Sequence, residues 1–176
     1  MESKSYKQLL STITTFILDI DGVLTDGTVH VTSSGELLRT MNVKDGYALK
    51  TAIKLGYHIC IISGGKNEGV KIRLQGLGIQ HIYLGVRDKV KCLETFTNAH
   101  AIATKNIVYM GDDIPDLQVI QKVGLPCCPQ DAIPEIKAVC NYISHKNGGQ
   151  GAVRDILEQV MKVQGKWAKN FDANYD

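Results

Sequence analysis

Two aspartates spaced two residues apart, Asp19 and Asp21, close a short apolar run and are followed at once by Gly22. A run such as Phe16 to Leu18 reads as a buried strand. In open α/β sheets, ligands sit outside the carboxyl ends of the strands. Two acids held together there are costly unless something positive neutralises them. Mg2+ with a phosphorylated substrate answers that requirement. An EF-hand loop does not, because Val23, Leu24 and His30 stand where that pattern needs an oxygen ligand, a glycine and a closing glutamate.

Three further segments carry groups that suit phosphoryl transfer: Ser63-Gly64-Gly65-Lys66, Lys89, and Gly111-Asp112-Asp113 with Asp116. Asp19 can attack phosphorus as a nucleophile. Asp21 can protonate the departing alkoxide and then activate water. Mg2+ between Asp19 and Asp112 keeps Asp19 ionised. The Ser63 hydroxyl and the amides of Gly64 and Gly65 offer donors to phosphoryl oxygens, and Lys89 offers a compact positive charge. Taken singly, each has a plainer reading. Ser63 to Lys66 is too short for a P-loop and alone is a turn. A lone lysine is an ordinary surface group. Asp113 reads as a helix cap and Asp116 as a first-turn acid, so both are placed behind the reacting groups. His30, His58, His81, His100 and His145 show no metal spacing.

The elements that must position these groups alternate between strand and helix. After the first strand, Thr28 to Val31 and Glu36 to Thr40 flank a glycine-containing loop and read as a β-hairpin. A helix is expected from Asp45 to Leu55, stopped by Gly56, then a strand from Tyr57 to Ile62. Helices over 67–75, 88–99 and 114–121 follow, interleaved with strands at 82–84, 106–110 and 123–127. A short helix over 134–138, a strand at 139–143 and a closing helix over 151–163 complete the order. Such alternation predicts an α/β fold, a Rossmann-like three-layer sandwich with a mostly parallel central sheet. The hairpin breaks the rhythm and is expected to project. No interval holds a separate cap domain, which needs about fifty residues. Residues 13–163 are read as the hydrolase domain, 1–12 as an N-terminal extension and 164–176 as an irregular or partner-packed tail.

Composition narrows the class. The chain has 176 residues, 44% hydrophobic and 22% charged, as in an ordinary globular domain. Twenty basic and eighteen acidic residues leave a net charge of +2, with the cations dispersed, so nucleic-acid binding is unsupported. No stretch is apolar enough for a bilayer, and no h-region follows the first residues. Five cysteines with no zinc or C-x-x-C spacing read as free thiols, so a cytoplasmic protein is expected.

The segment Asp19 to Thr25, Ser63, Lys89 and Gly111-Asp112-Asp113 together resemble the four motifs of the haloacid dehalogenase superfamily of phosphatases. Asn42 to Tyr47, Arg73 with Leu77-Gly78-Ile79, Gly85 to Lys89, and Gly148 to Arg154 are similar to the 3-deoxy-D-manno-octulosonate 8-phosphate phosphatase family, a capless subclass. The resemblance covers residues 13–163. It implies Mg2+-dependent hydrolysis of an eight-carbon sugar acid phosphate on the route to lipopolysaccharide. It implies Asp19 as nucleophile and ligand, Asp112 as a second ligand, and Asp21 as acid/base with its backbone carbonyl on the metal. It places substrate contacts at Asp21, Asn42, Val43, Lys44, Asp45, Gly46, Lys50, Gly64, Arg73 and Lys89. It also implies a homotetramer whose hairpin reaches a neighbour's active site.

Two positions depart from the family pattern. Gly65 and Gln150 stand where arginine is usual, which removes two cations that could meet the substrate's carboxylate. A phosphatase for a related acid, such as keto-deoxy-nononate 9-phosphate, is therefore an alternative, although that relative carries acids at both places. An inert oligomeric scaffold on the same fold is a further alternative, but no catalytic position is missing.

Overall fold

The computed structural model describes residues 6–167. Its central strand, β1 (Thr15–Leu18), is buried along its whole length. Parallel sheets covered by helices on both faces select such continuous apolar runs. β1 pairs in parallel with β4 (His58–Ile62) on one side and β6 (Ile107–Met110) on the other. β5 (His81–Tyr83) lies beyond β4, and β7 (Leu125–Cys128) and β8 (Tyr142–Ile143) lie beyond β6, every pairing parallel. The chain builds outward from β1 on one side, then returns to build on the other. That reversal leaves a crevice at the carboxyl ends of β1, β4 and β6.

Phe16 and Leu18 face one core and Ile17 faces the other, as a period of two requires. The first core is covered by α2 (Val43–Lys54), α3 (Glu68–Gly76) and α7 (Ala152–Val163). On α7, Ala152, Val153, Ile156, Leu157, Val160 and Met161 make the buried stripe. Each large side chain buried this way stabilises the fold by roughly 2 kcal/mol. The second core is covered by α4 (Lys89–Ala99), α5 (Leu117–Ile120) and α6 (Pro134–Val139). Caps start the helices: Asn42, Asn67 and Asp88 accept backbone N–H bonds from Lys44, Val70 and Lys91.

The hairpin is present as β2 (His30–Val31) and β3 (Leu37–Leu38), an antiparallel pair outside the main sheet. Its strands are shorter than the sequence suggests, because no core face holds their outer residues in register. No separate cap domain accompanies it among the described residues. The helix expected over 114–121 begins as a 3-10 turn, Ile114–Asp116, with Pro115 in that turn, and only then becomes α5. A five-residue helix, α1 (Tyr6–Leu10), was not expected. It is held by Gln164, whose Nε2 donates to the carbonyls of Leu10 and Ile13 at 2.9 and 2.8 Å. Of the expected irregular tail, residues 168–176 lie outside the described residues. Trp167 folds back, its ring edge-on to Tyr47 at 6.4 Å. No helix among the described residues is long and apolar enough to cross a membrane.

Candidate active site

The crevice holds a cavity of about 360 Å³, lined by Asp19, Asp21, Ser63, Gly64, Gly65, Lys89, Asp112, Asp113 and Asp116 among others. Asp19 follows β1 directly, and its N–H donates to the Met110 carbonyl at 3.1 Å, which extends the sheet by one rung. The chain then turns on itself, with the N–H groups of Val23, Leu24 and Thr25 all reaching the Ile20 carbonyl. Gly22 sits in this turn at φ +79°, and a Cβ there would fall 1.9 Å from Asp112 Oδ2. Only glycine lets the two acidic segments approach so closely.

Lys89 is the first residue of α4, inside the helix expected over 88–99. Its Nζ lies 2.7 Å from Asp19 Oδ2 and 2.7 Å from Asp116 Oδ1. Burial works against the ammonium, but the charges of Asp19 and Asp116 outweigh it and raise its pKa, so Lys89 stays charged. Asp116 also accepts from the Tyr109 hydroxyl at 2.6 Å and from the Asp112 N–H at 3.2 Å. Both of its oxygens are thus committed to protein donors. Asp113 caps the 3-10 turn through the Ile114 N–H at 2.8 Å. Asp116 thus holds three donors from separate segments and does more than complement a helix dipole.

The donor set tests the expected metal. One carboxylate oxygen each from Asp19, Asp112 and Asp116 lies within 4.8 Å of the others. Three carboxylates share one ammonium, and burial followed by Asp116 and Asp19 pushes the Asp112 carboxyl up to about 7. The deficit of positive charge, with oxygen donors and no sulfur or imidazole in the group, fits a hard divalent cation. Asp19, which also accepts from the Ile20 N–H at 2.7 Å and from Lys89, and Asp116 are both held by protein donors, and the three carboxylates together are the side chains that could hold Mg2+.

Ser63 follows β4, is buried, and receives the Gly65 N–H on its Oγ at 3.3 Å. The Asp21 carboxylate meets an unexpected partner. Arg39, just past β3, donates from Nε to Oδ1 at 2.6 Å and from Nη2 to Oδ2 at 3.1 Å.

The segment expected to contact substrate lies outside this cavity within one chain. Asn42 caps α2 and donates to the Gly149 carbonyl at 3.2 Å, and Val43 is 72% exposed. Asp45 is buried, with Oδ1 accepting the Arg154 N–H at 2.7 Å. Lys44 borders a separate cleft with Gln150 and Arg154. Gly46 leaves room for Arg73, and Lys50 lies one turn further along α2. Arg73 lines an adjoining groove together with Arg39, Met41 and Asn67.

Known proteins resemble the chain in sequence and in fold. A family model described as haloacid dehalogenase-like hydrolase matches residues 80–157. The 3-deoxy-D-manno-octulosonate 8-phosphate phosphatase KdsC of Salmonella typhi is 39% identical over 85% of this chain and 80% of its own. The chain belongs to the 3-deoxy-D-manno-octulosonate 8-phosphate phosphatase family of haloacid dehalogenase-like hydrolases. The phosphatase structure from Moraxella catarrhalis, in complex with magnesium, phosphate and KDO, matches with a TM-score of 0.89 at 34% identity, covering 92% of each chain. That from Yersinia pestis matches with a TM-score of 0.92 at 31% identity, over 94% of this chain and 90% of its own.

Two site residues of this family member escaped the sequence reading. Tyr109 looked like strand core, and its place inside an apolar run gave no sign of a polar partner. Arg39 stood in the return strand of a hairpin three residues from Glu36, and no local spacing pointed to Asp21 as its partner. Its being the one cation between residues 28 and 40 was the available signal.

Proposed function

We propose that the chain hydrolyses 3-deoxy-D-manno-octulosonate 8-phosphate to the free sugar acid and inorganic phosphate, with Mg2+. The observation that carries this reading is the convergence of Asp19, Lys89 and Asp112 beside the Ser63-Gly64 turn, at one crevice. Relatives named for that reaction, at 39% identity, supply the substrate.

The proposed roles follow from position. Asp19 Oδ attacks phosphorus and forms an aspartyl phosphate while the bond to the sugar oxygen breaks. Asp21 gives its proton to that oxygen, then takes one from the water that attacks phosphorus and frees Asp19. Lys89 holds Asp19 in place and offers its charge to developing negative oxygen. The Ser63 hydroxyl and Gly64 N–H donate to phosphoryl oxygens. Mg2+ held by Asp19, Asp112 and the Asp21 backbone carbonyl would neutralise charge between nucleophile and phosphate.

An oligomer completed by the hairpin, in the form of a tetramer, fits the remaining observations. Val31, Leu38 and Leu37 on the hairpin are 70%, 52% and 43% exposed. A two-stranded ribbon cannot shelter such side chains alone. The substrate contacts expected at Asn42 to Gly46, Lys50 and Arg73 do not line the chain's own phosphoryl cavity, which leaves them to a site shared between copies in this reading.

A panel of phosphorylated sugar acids, scored by kcat/KM with Mg2+, tests the substrate. The eight-carbon acid is expected to lead. A nine-carbon acid in first place would favour the alternative raised by Gly65 and Gln150, and no turnover of any member would return the chain to a scaffold role. In Asp19→Asn, turnover is expected to fall well beyond tenfold with the fold intact; retention of more than about a tenth excludes covalent catalysis by Asp19.

A further inference from the structure

The Arg39 fork does not hold the two oxygens of Asp21 equally. Nε reaches Oδ1 at 2.6 Å, while Nη2 reaches Oδ2 at 3.1 Å. Oδ2 leans over the turn that follows β4, since a Cβ on Gly65 would stand 3.2 Å from it and 3.7 Å from Ser63 Oγ. Both oxygens accept from the fork, Oδ1 more closely, and Oδ2 also faces the loop that offers donors to phosphate. Gly65 leaves room for this arrangement, and a side chain there would press against Asp21.

The anchor is itself fixed. The third guanidinium nitrogen, Nη1, donates to the Leu37 carbonyl at 3.3 Å, and Asn67 Nδ2 donates to that same carbonyl at 2.8 Å. Asn67 in turn caps α3. The Arg39 side chain is only 7% exposed, against 37% for Asp21. A planar guanidinium tied at three points is a rigid reference for a carboxyl that is otherwise free to rotate.

We infer that Arg39 is a positioning residue for the reaction, anchoring Oδ1 of Asp21 so that Oδ2 meets the leaving oxygen of the substrate. The inference rests on the acid/base role of Asp21 proposed above. It makes the projecting hairpin part of the acid machinery of its own chain, because the base of the hairpin carries the anchor. Geometry of this kind matters at the level of an ångström.

Single-turnover kinetics with Mg2+ and two leaving groups test it. Arg39→Gln is expected to slow sugar release from the sugar acid phosphate about a hundredfold, the low end of what a placed general acid contributes. Release of p-nitrophenolate from p-nitrophenyl phosphate needs little protonation and is expected to slow by less than about fivefold. Arg39→Lys restores one donor and is expected to recover part of the sugar rate. Asp21→Asn, run alongside, should show the same split. If Asp21→Asn slows both substrates alike, the acid role of Asp21 fails and this inference fails with it. If Asp21→Asn splits them and Arg39→Gln slows both alike, or neither, only the assignment to Arg39 is overturned. A hairpin that merely held an assembly together would slow both leaving groups equally. Circular dichroism checks folding, and if Arg39→Gln does not fold, a leaving-group split in Arg39→Lys decides in the same way.

Discussion

Lys89 Nζ and Asp116 Oδ1 meet at 2.7 Å beneath the active site, with side chains 5% and 1% exposed. Asp116 also holds the Tyr109 hydroxyl and the Asp112 N–H, so one buried carboxylate fixes groups from α4, β6 and the acidic loop. Breaking a buried ion pair from one side typically costs about 3–5 kcal/mol. Asp116→Ala is expected near the lower figure, because Lys89 keeps Asp19. Tyr109→Phe should cost only about 1 kcal/mol, the net worth of one hydrogen bond. Denaturant unfolding of both variants checks the order. Equal, small losses would mean that Asp116 is not the anchor.

Asp112 is expected to govern metal affinity. In Asp112→Asn, the Mg2+ concentration for half-maximal activity should rise by more than the roughly tenfold that loss of an outer partner costs. Exhaustive chelation of the unaltered enzyme should abolish turnover, and full activity after chelation would rule out the metal's role.

Asp45, which does not line the phosphoryl cavity, is expected to set a pH dependence of stability. Burial raises its pKa from 3.8 to about 6, against the N–H groups of Arg154 and Gly151. Its Oδ2 is buried with no hydrogen-bond partner. Between the two pKa values the folded chain binds the proton more tightly than the unfolded chain. The contribution of Asp45 is therefore fully present below about pH 4 and is lost as the pH rises through about 6. Chemical denaturation across that window should show a flatter stability profile for Asp45→Asn than for the unaltered chain. An unchanged slope would place the dependence elsewhere.

The hairpin's outer apolar residues can be tested without touching Arg39. Val31→Ser with Leu38→Ser is expected to dissociate the oligomer in light scattering and to lower kcat/KM for the sugar acid phosphate. An unaltered chain that is already monomeric, or a monomeric variant with undiminished turnover, would sink the shared site.

The placement of Asp19, Asp21, Ser63, Lys89 and Asp112 was legible in the sequence because it needs only local pattern and one rule. Each lies at or just past the end of an apolar strand, or opens a capped helix, and parallel strands deliver those ends to one edge. What escaped depends on pairing across long separations. Asp45 looks like any acid in a first helical turn until α7 arrives, 109 residues later, to use it as a cap. Arg39 finds Asp21 only because the hairpin bends back over the turn after β1, a direction that no local spacing encodes. α1 exists because Gln164 holds its end, and five residues carry too little periodicity to announce a helix.

The turn that carries Asp21 is braced by the far end of the chain. Gly149 donates to the Val23 carbonyl at 2.9 Å, and its own carbonyl takes Asn42 Nδ2 across 107 positions. During synthesis, the nucleophile's loop leaves the ribosome early and waits for its buttress. Contacts closed over such spans are slow to form. A nascent chain ending before residue 148 can own a complete set of reacting side chains and still lack the brace that aligns them. A chain cut before residue 148 should therefore keep its reacting side chains and lose phosphatase activity.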